Sequence, residues 1–230
     1  MAIPSPVLYP PFNIVRISHV VYAVPDLARS RAFYVDLLGM QVTGETGDAI
    51  YLRAMEERGH HSVVLARSER AAVRVIGFKV YTDADLDKAA DFFGALGRPV
   101  QWIETPYQGR TLRTTDPQGV PLEFYHRMDR LTPIHQKYGL YRGARPLRVD
   151  HCNCFSPDVG AAVEFYNSIG FRLTEYTATE DDDTLWAAWM HRKGGVHDVA
   201  FTNGAGPRLH HIAFWVSSPL AILDFLDLMA

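Results

Sequence analysis

Cysteine is almost missing from this chain. The only two, Cys152 and Cys154, lie two residues apart, so on a strand they point the same way and are awkwardly placed to bridge each other. No disulfide framework follows. A C-x-C zinc chelate competes with the plainer expectation of two small buried thiols in a reducing compartment. Long apolar runs are missing too, none approaching the roughly 20 residues of a membrane span. The opening MAIPSPVLYPPFNIV has no basic stretch leading into an unbroken apolar core, so a cytoplasmic address is expected. Neither sign of charge dominates: 23 Lys and Arg against 26 Asp and Glu leave a net charge of -3. Basic clusters do not extend beyond pairs such as Arg192-Lys193, and neither nucleic acid nor an anionic membrane is an expected partner. A glycine-rich phosphate loop, a G-x-S-x-G elbow and a paired C-x-x-C are absent as well.

What the chain does have is apolar content and an internal repeat. Its 47% of hydrophobic residues suffices for a real core, in one large domain or two small ones at this length. HVVYAVPDLARSRAFYVDLLGM from His19 aligns with HCNCFSPDVGAAVEFYNSIGF from His151. That alignment pairs His19 with His151, Pro25-Asp26 with Pro157-Asp158 and Phe33-Tyr34 with Phe165-Tyr166, all at an offset of 132. Further on, Gly59-x-His61 matches Gly195-x-His197 and Phe78-Lys79-Val80 matches Phe214-Trp215-Val216, both at an offset of 136. Two copies of one unit are present.

Each copy begins with a strand (17–24; 148–155), then an Asp-capped helix with a 3.6-residue apolar stripe (near 26–38; 158–169), ended by Gly39 or Gly170. Two or three strands follow, at 49–54 and 62–66 in the first copy and 185–191 and 196–202 in the second. Another strand (73–81; 209–216) and another helix (83–96; 217–229) come next, and the first copy adds strands at 111–116 and 122–125. The expected fold is α+β, built of repeated βαβββ modules in two tandem halves, 1–140 and 141–230, with the fourth module incomplete. The stretch from His126 to Arg145, with Pro133, Gly139 and Gly143, reads as the connection between halves.

Histidine carries the chemistry. RVDHCN places His151 on a central strand, and LHHIAF places His210 and His211 on another. A strand sends successive side chains to opposite faces, so only one of the adjacent pair can share a cavity with His151. Two neutral imidazoles and a carboxylate leave three open positions on an octahedral ion, which suits iron(II) or manganese(II); two partly buried histidines satisfied by backbone groups are the alternative. In the first copy, His19 and Glu123 stand at the outer positions but Val75 stands where His211 aligns, so that half is not expected to bind metal. His197, two residues past Gly195 on a further strand, has the pKa range for acid/base work, or is structural. Asn153 shares the strand face of His151 and suits a hydrogen bond to a substrate or a ligand's support, or a strand end. Trp189 and His191 share a face that suits an aromatic ligand, or packs the core. The acidic run Glu180–Asp183 reads as a solvated loop.

The strings RVDHCN, WMHRKGGVHD and GPRLHHIAF, with the four-module order, resemble the type I extradiol ring-cleaving dioxygenases of the vicinal oxygen chelate superfamily. The similarity is greatest to their homoprotocatechuate-cleaving branch and covers essentially the whole chain. The resemblance implies that His151 and His211 bind iron(II), or manganese(II) in some members, with a Glu from the last module. It further implies that His197 is the acid/base beside the metal, that Asn153 and Trp189 contact substrate, and that His210 turns away. The implied reaction cleaves a catechol such as 3,4-dihydroxyphenylacetate beside its diol with O2. The charge of the ion lowers the pKa of the chelated hydroxyls. A homo-oligomer, often a tetramer, belongs to the same expectation. By the repeat offset, the partner of Glu123 would fall near position 259, past Ala230. The expectation is therefore an active parent enzyme and a 230-residue chain that is inactive or nearly so. Two alternatives stand beside it: a metal-free protein that binds small aromatics, and a glyoxalase-like lyase or isomerase, against which Val75 argues.

Overall fold

The computed structural model describes residues 3–181, 183–192 and 194–230; Asp182 of the acidic run and Lys193 of the basic pair lie outside the described residues. Three βαβββ modules and the start of a fourth follow in order. The first is β1 (Ile14–Val24), α1 (Leu27–Arg31) continued by a π-helical turn (Ala32–Leu37), β2 (Gln41–Glu45), β3 (Ala49–Arg53) and β4 (Val63–Arg67). The second is β5 (Ala72–Val80), α2 (Asp83–Ala95), β6 (Gln101–Thr105), β7 (Gln108–Thr115) and β8 (Pro121–Tyr125). The third is β9 (Arg148–Ser156), α3 (Val159–Ser168), β10 (Arg172–Ala178), β11 (Leu185–His191) and β12 (Val199–Asn203), and β13 (Arg208–Trp215) with α4 (Pro219–Met229) opens the fourth. Among the described residues, no helix is long and apolar enough to cross a membrane.

The helices of the two copies start alike and end differently. Asp26 accepts the N–H of Arg29 at 2.9 Å and Asp158 that of Ala161 at 2.9 Å, equivalent caps at repeated positions. Past the shared Phe-Tyr pair, however, the first copy reads FYVDLLG and the second FYNSIG, one residue shorter. The chain absorbs the extra residue as a π turn. Leu38 N–H reaches back five residues to the Phe33 carbonyl, where Ile169 N–H reaches back four to Phe165. The expected helix near 26–38 is thus short and α-helical, then π-helical. Gly39 and Gly170 follow with φ of 87° and 89°, the left-handed region in which glycine is not strained.

The strands run β2-β3-β4-β1 and β5-β8-β7-β6 within an eight-stranded sheet, and β10-β11-β12-β9-β13 in a five-stranded one. Parallel pairs β1·β4, β5·β8 and β9·β12 close each module, and antiparallel hairpins fill the rest. By contacts the chain divides into two compact units. One comprises the segment ending at Ile17 with Ile76–Arg127 and Asp150–Ala213; the other comprises Ser18–Val75, Met128–Val149 and Phe214–Ala230.

The first unit is held by phenylalanine. Phe12 meets Phe124 edge-on at 5.5 Å, Phe78 stacks on Phe124 and meets Phe171 edge-on, and Phe93 reaches Phe165 at 6.1 Å. Each buried ring contributes on the order of 1.5–3 kcal/mol by removal from water, so the second and third modules share one core. A polar strap joins them too: Tyr166 donates to Asp116 at 3.3 Å, and Ser156 donates to Gln118 at 2.7 Å. In the second unit the fully buried Val20, Leu52, Val63 and Leu65 lie on β1, β3 and β4. Cys152 and Cys154 are buried and form no disulfide.

Candidate metal centre

Strand β9 presents His151, Asn153 and Phe155 on one face by alternation. Its neighbour β13 brings up His211, whose Nε2 lies 3.1 Å from Nε2 of His151. The other nitrogen of His151 is engaged: Nδ1 donates to the Asp150 carboxylate at 2.8 Å, which leaves Nε2 as a bare lone pair. His211 Nδ1 lies 2.6 Å from Nδ1 of His210. Two Nε2 atoms facing each other at this distance share either the N–H of one neutral ring, as an N–H···N hydrogen bond, or a metal ion. Burial, and after it His151 and His210, push the His211 pKa below the usual imidazole range, which favours the neutral ring, the form that ligates a metal.

The donor set, two imidazole nitrogens with a carboxylate behind one of them, would suit manganese(II) or iron(II) if such an ion were bound. The pair fits the group that the resemblance implies, and Asp150 stands where a carboxylate would orient a ligating histidine. Asp150, His151 and His197 also have ligating atoms within 4.8 Å of one another, the one such group among the described residues.

His197 packs its ring 4.0 Å from that of His151, centroid to centroid. It does not lie on a strand as expected; it ends the loop before β12, which begins at Val199. The alternating Val-His-Asp-Val imitates a strand, but Val196 is exposed and the ladder with β9 starts only at Val199 paired with Cys152. Asn153 is buried, and its side-chain amide both donates to and accepts from the Thr202 hydroxyl, at 3.1 and 3.3 Å. Trp189 sits in the same cross-strand row, paired with Ala200, which pairs with Asn153. The row puts Trp189 on the sheet face of His151 and Asn153.

His210 does not turn clear of the site. Its ring packs on Phe155 with centroids 4.9 Å apart, and it stays beside His211. β13 ends its sheet, and an edge strand lets a side chain reach around its rim. In the other unit, His19 and His61 are the repeat partners of His151 and His197. They lie edge to face at 5.2 Å, while the buried Val75 offers no donor. Glu123 is committed to Arg113 at 3.1 Å and Gln108 at 2.7 Å. Sequence reasoning missed Asp150 and Thr202. Asp150 precedes His151, and strand alternation assigns neighbours to opposite faces; only the short reach of its carboxylate back to Nδ1 reveals its part.

The family model of the Glyoxalase/Bleomycin resistance protein/Dioxygenase superfamily matches residues 16–124 and again 148–229. The chain belongs to this superfamily. The repeat of that match coincides with the repeat in the sequence. A manganese-dependent 2,3-dihydroxybiphenyl 1,2-dioxygenase of Geobacillus genomosp. 3 is 29% identical over 94% of this chain and 73% of its own length. A metapyrocatechase of Geobacillus stearothermophilus is 27% identical over 96% of this chain and 71% of its own. Among solved structures, the anaerobic complex of homoprotocatechuate 2,3-dioxygenase from Brevibacterium fuscum with 3,4-dihydroxyphenylacetate is 40% identical, with a TM-score of 0.92, over 99% of this chain and 72% of that one. The Y257F variant of the B. fuscum enzyme is 40% identical at a TM-score of 0.93, and there this chain spans 64% of its relative, less than two thirds. These relatives are extradiol dioxygenases, metal-dependent where their names say so.

Proposed function

We propose that this fold carries an extradiol dioxygenase site that opens a catechol ring beside its diol with O2. The substrate is 3,4-dihydroxyphenylacetate and the ion is a single iron(II), with manganese(II) as the alternative. The observation that carries the reading is the facing pair of Nε2 atoms of His151 and His211, 3.1 Å apart; the resemblance to dioxygenases supports it. When bound, the ion supplies Lewis acidity toward the catechol hydroxyls and a redox partner for dioxygen.

The chain's own residues do the rest. Asp150 keeps the proton of His151 on Nδ1, so that Nε2 is free to ligate. His197, in contact with the His151 ring, takes the proton from a substrate hydroxyl and returns it as the ring opens. Asn153, oriented by Thr202, gives a hydrogen bond to the substrate, and Trp189 supplies the apolar wall of its row. On the resemblance we assign the halves 1–140 and 141–230 as domains, the second with the site, and a cytoplasmic homo-oligomer, a tetramer, as the assembly. Its partners are the catechol and O2 rather than nucleic acid or membrane.

The test is anaerobic loading with iron(II) or manganese(II), followed by oxygen uptake and absorbance of the ring-fission product with 3,4-dihydroxyphenylacetate. His211→Ala is the control. The expected result is one equivalent of ion in the unaltered chain and at least a 100-fold loss of affinity in the control. Equal metal uptake by both would overturn the assignment of the ligands.

A further inference from the structure

The loop that delivers His197 is closed by one buried carboxylate. Asp198 is 0% exposed. Its Oδ2 accepts the Arg192 N–H at 2.7 Å, which ties the two ends of the loop together, and its Oδ1 accepts the Ile17 N–H at 3.0 Å. Its own N–H donates to the Met190 carbonyl at 2.8 Å, and its carbonyl accepts the Cys152 N–H at 3.1 Å. Cys152 follows His151 just as Asp198 follows His197, so one backbone bond joins the residues next to both histidines. The Arg192 side chain fastens the same corner, donating to the Ile14 carbonyl at 2.9 Å and the Gly170 carbonyl at 3.0 Å.

The internal repeat supplies a control for what the fold itself needs. At an offset of 136, Asp198 corresponds to Ser62. Ser62 makes the same two backbone bonds, its N–H to the Leu52 carbonyl at 2.8 Å and its carbonyl from the Val20 N–H at 3.0 Å. Each copy still ties its loop with a buried carboxylate, but from a different position: in the first copy Glu57, four residues before His61, accepts the N–H groups of Ala54 and Val149, at 3.0 Å each. Only in the second copy does the acid directly follow the histidine, and there the ring packs at 4.0 Å on a candidate ligand; in the other copy the equivalent rings stand 5.2 Å apart. Residue chemistry agrees, because two N–H groups from two chain segments converge on the side chain. A carboxylate accepts from both, whereas an asparagine amide turns a donor toward one of them.

We infer that Asp198 is a positioning residue for His197: its carboxylate holds the loop shut and sets the His197 ring against His151. The inference rests on the reading of His197 as a working group of the site. The decisive variant is Asp198→Ser, which installs the residue of the other copy, made in the full chain. Amide hydrogen exchange at Arg192 and Ile17 and the ring-proton contact between His151 and His197 are followed by NMR in the metal-free protein, and manganese(II) affinity is measured beside them. We expect a folded variant in which both amides exchange at least tenfold faster and the ring contact is lost, while manganese(II) affinity stays within about threefold. A folded variant with the ring contact intact would overturn the inference. If Asp198→Ser does not fold, Asp198→Asn, which keeps one acceptor, decides it: loss of the ring contact supports positioning, and failure of both variants to fold makes the carboxylate structural and ends the claim. Failure of the dioxygenase reading would show differently, as metal uptake that is the same in the unaltered chain and in His211→Ala.

Discussion

Replacing Asp85 by alanine tests the anchor beneath the site. Asp85 is 1% exposed, yet its carboxylate accepts four bonds. Two come from Thr82, at 2.9 Å from the N–H and 2.6 Å from the hydroxyl, and two from Asn13, at 3.0 Å from the N–H and 3.2 Å from the amide. The first pair completes the capping box of α2. The second fixes the residue before β1, the strand that carries Ile14 to Arg192 and Ile17 to Asp198. The Thr82 cap survives, since it accepts the backbone N–H of residue 85, and only the reciprocal half of the box is lost. Bonds to a charged acceptor contribute about 1.5–3 kcal/mol each, but Asn13 and Thr82 are exposed, so water replaces part of what they lose. The expected destabilisation is roughly 2–4 kcal/mol. Burial pushes the carboxyl up, but the bonds from Thr82 and Asn13 outweigh it and hold the pKa below its ordinary 3.8. A depressed acid contributes stability that is fully present above 3.8 and is lost as pH falls through the folded value. Guanidinium unfolding at pH 7 and pH 3, followed by far-UV circular dichroism, should therefore show a gap between parent and variant that narrows in acid. A gap under about 1 kcal/mol at pH 7, or one that does not narrow, would refute this account of the anchor.

Asp150→Asn should lower manganese(II) affinity by about 10–100-fold, the usual consequence of removing the partner of a ligating histidine; calorimetric titration measures it, and unchanged affinity would remove Asp150 from the site. Because the His211 pKa is depressed by burial and by its neighbouring histidines, protons compete with the ion at this ligand only below the ordinary value of 6.5. Uptake should weaken as pH falls, and the part of the loss that belongs to His211, followed by the NMR titration of its ring in the metal-free chain, should have its midpoint below 6.5; a midpoint above it would contradict the assigned environment. Gly170→Ala puts a Cβ 2.8 Å from the Cβ of Pro10 at a φ of 89°. It should cost about 1–2 kcal/mol from the backbone alone, read as a lowered thermal midpoint, and an unchanged midpoint would mean the turn relaxes freely.

The repeat and the apolar periodicity made the module order legible, but only where a strand carries its own apolar residues. β2 (QVTGE), β6 (QWIET) and β10 (RLTEYTA) escaped because they are largely polar outer strands; each pairs antiparallel with β3, β7 or β11, which sets its register from outside. The π turn escaped for a different reason. The extra residue was visible in FYVDLLG against FYNSIG, but periodicity does not say whether a helix absorbs an insertion by widening or a loop does. At the site, strand alternation rightly brought His211 rather than His210 to His151, yet the same rule hid Asp150 and misplaced His210, since side chains at a strand's rim and short carboxylates reach across faces. The facing nitrogens of His151 and His211 are a relation between strands distant in sequence, which no local pattern encodes. The duplicated module narrows what that relation requires. Both copies keep the paired histidines at 19 and 61 or 151 and 197 and tie the loop with a buried carboxylate, Glu57 or Asp198, but only the second adds His211 as a facing donor and Asp150 on Nδ1. Those two side chains, and not the shared backbone, are what the proposed metal centre adds to the scaffold.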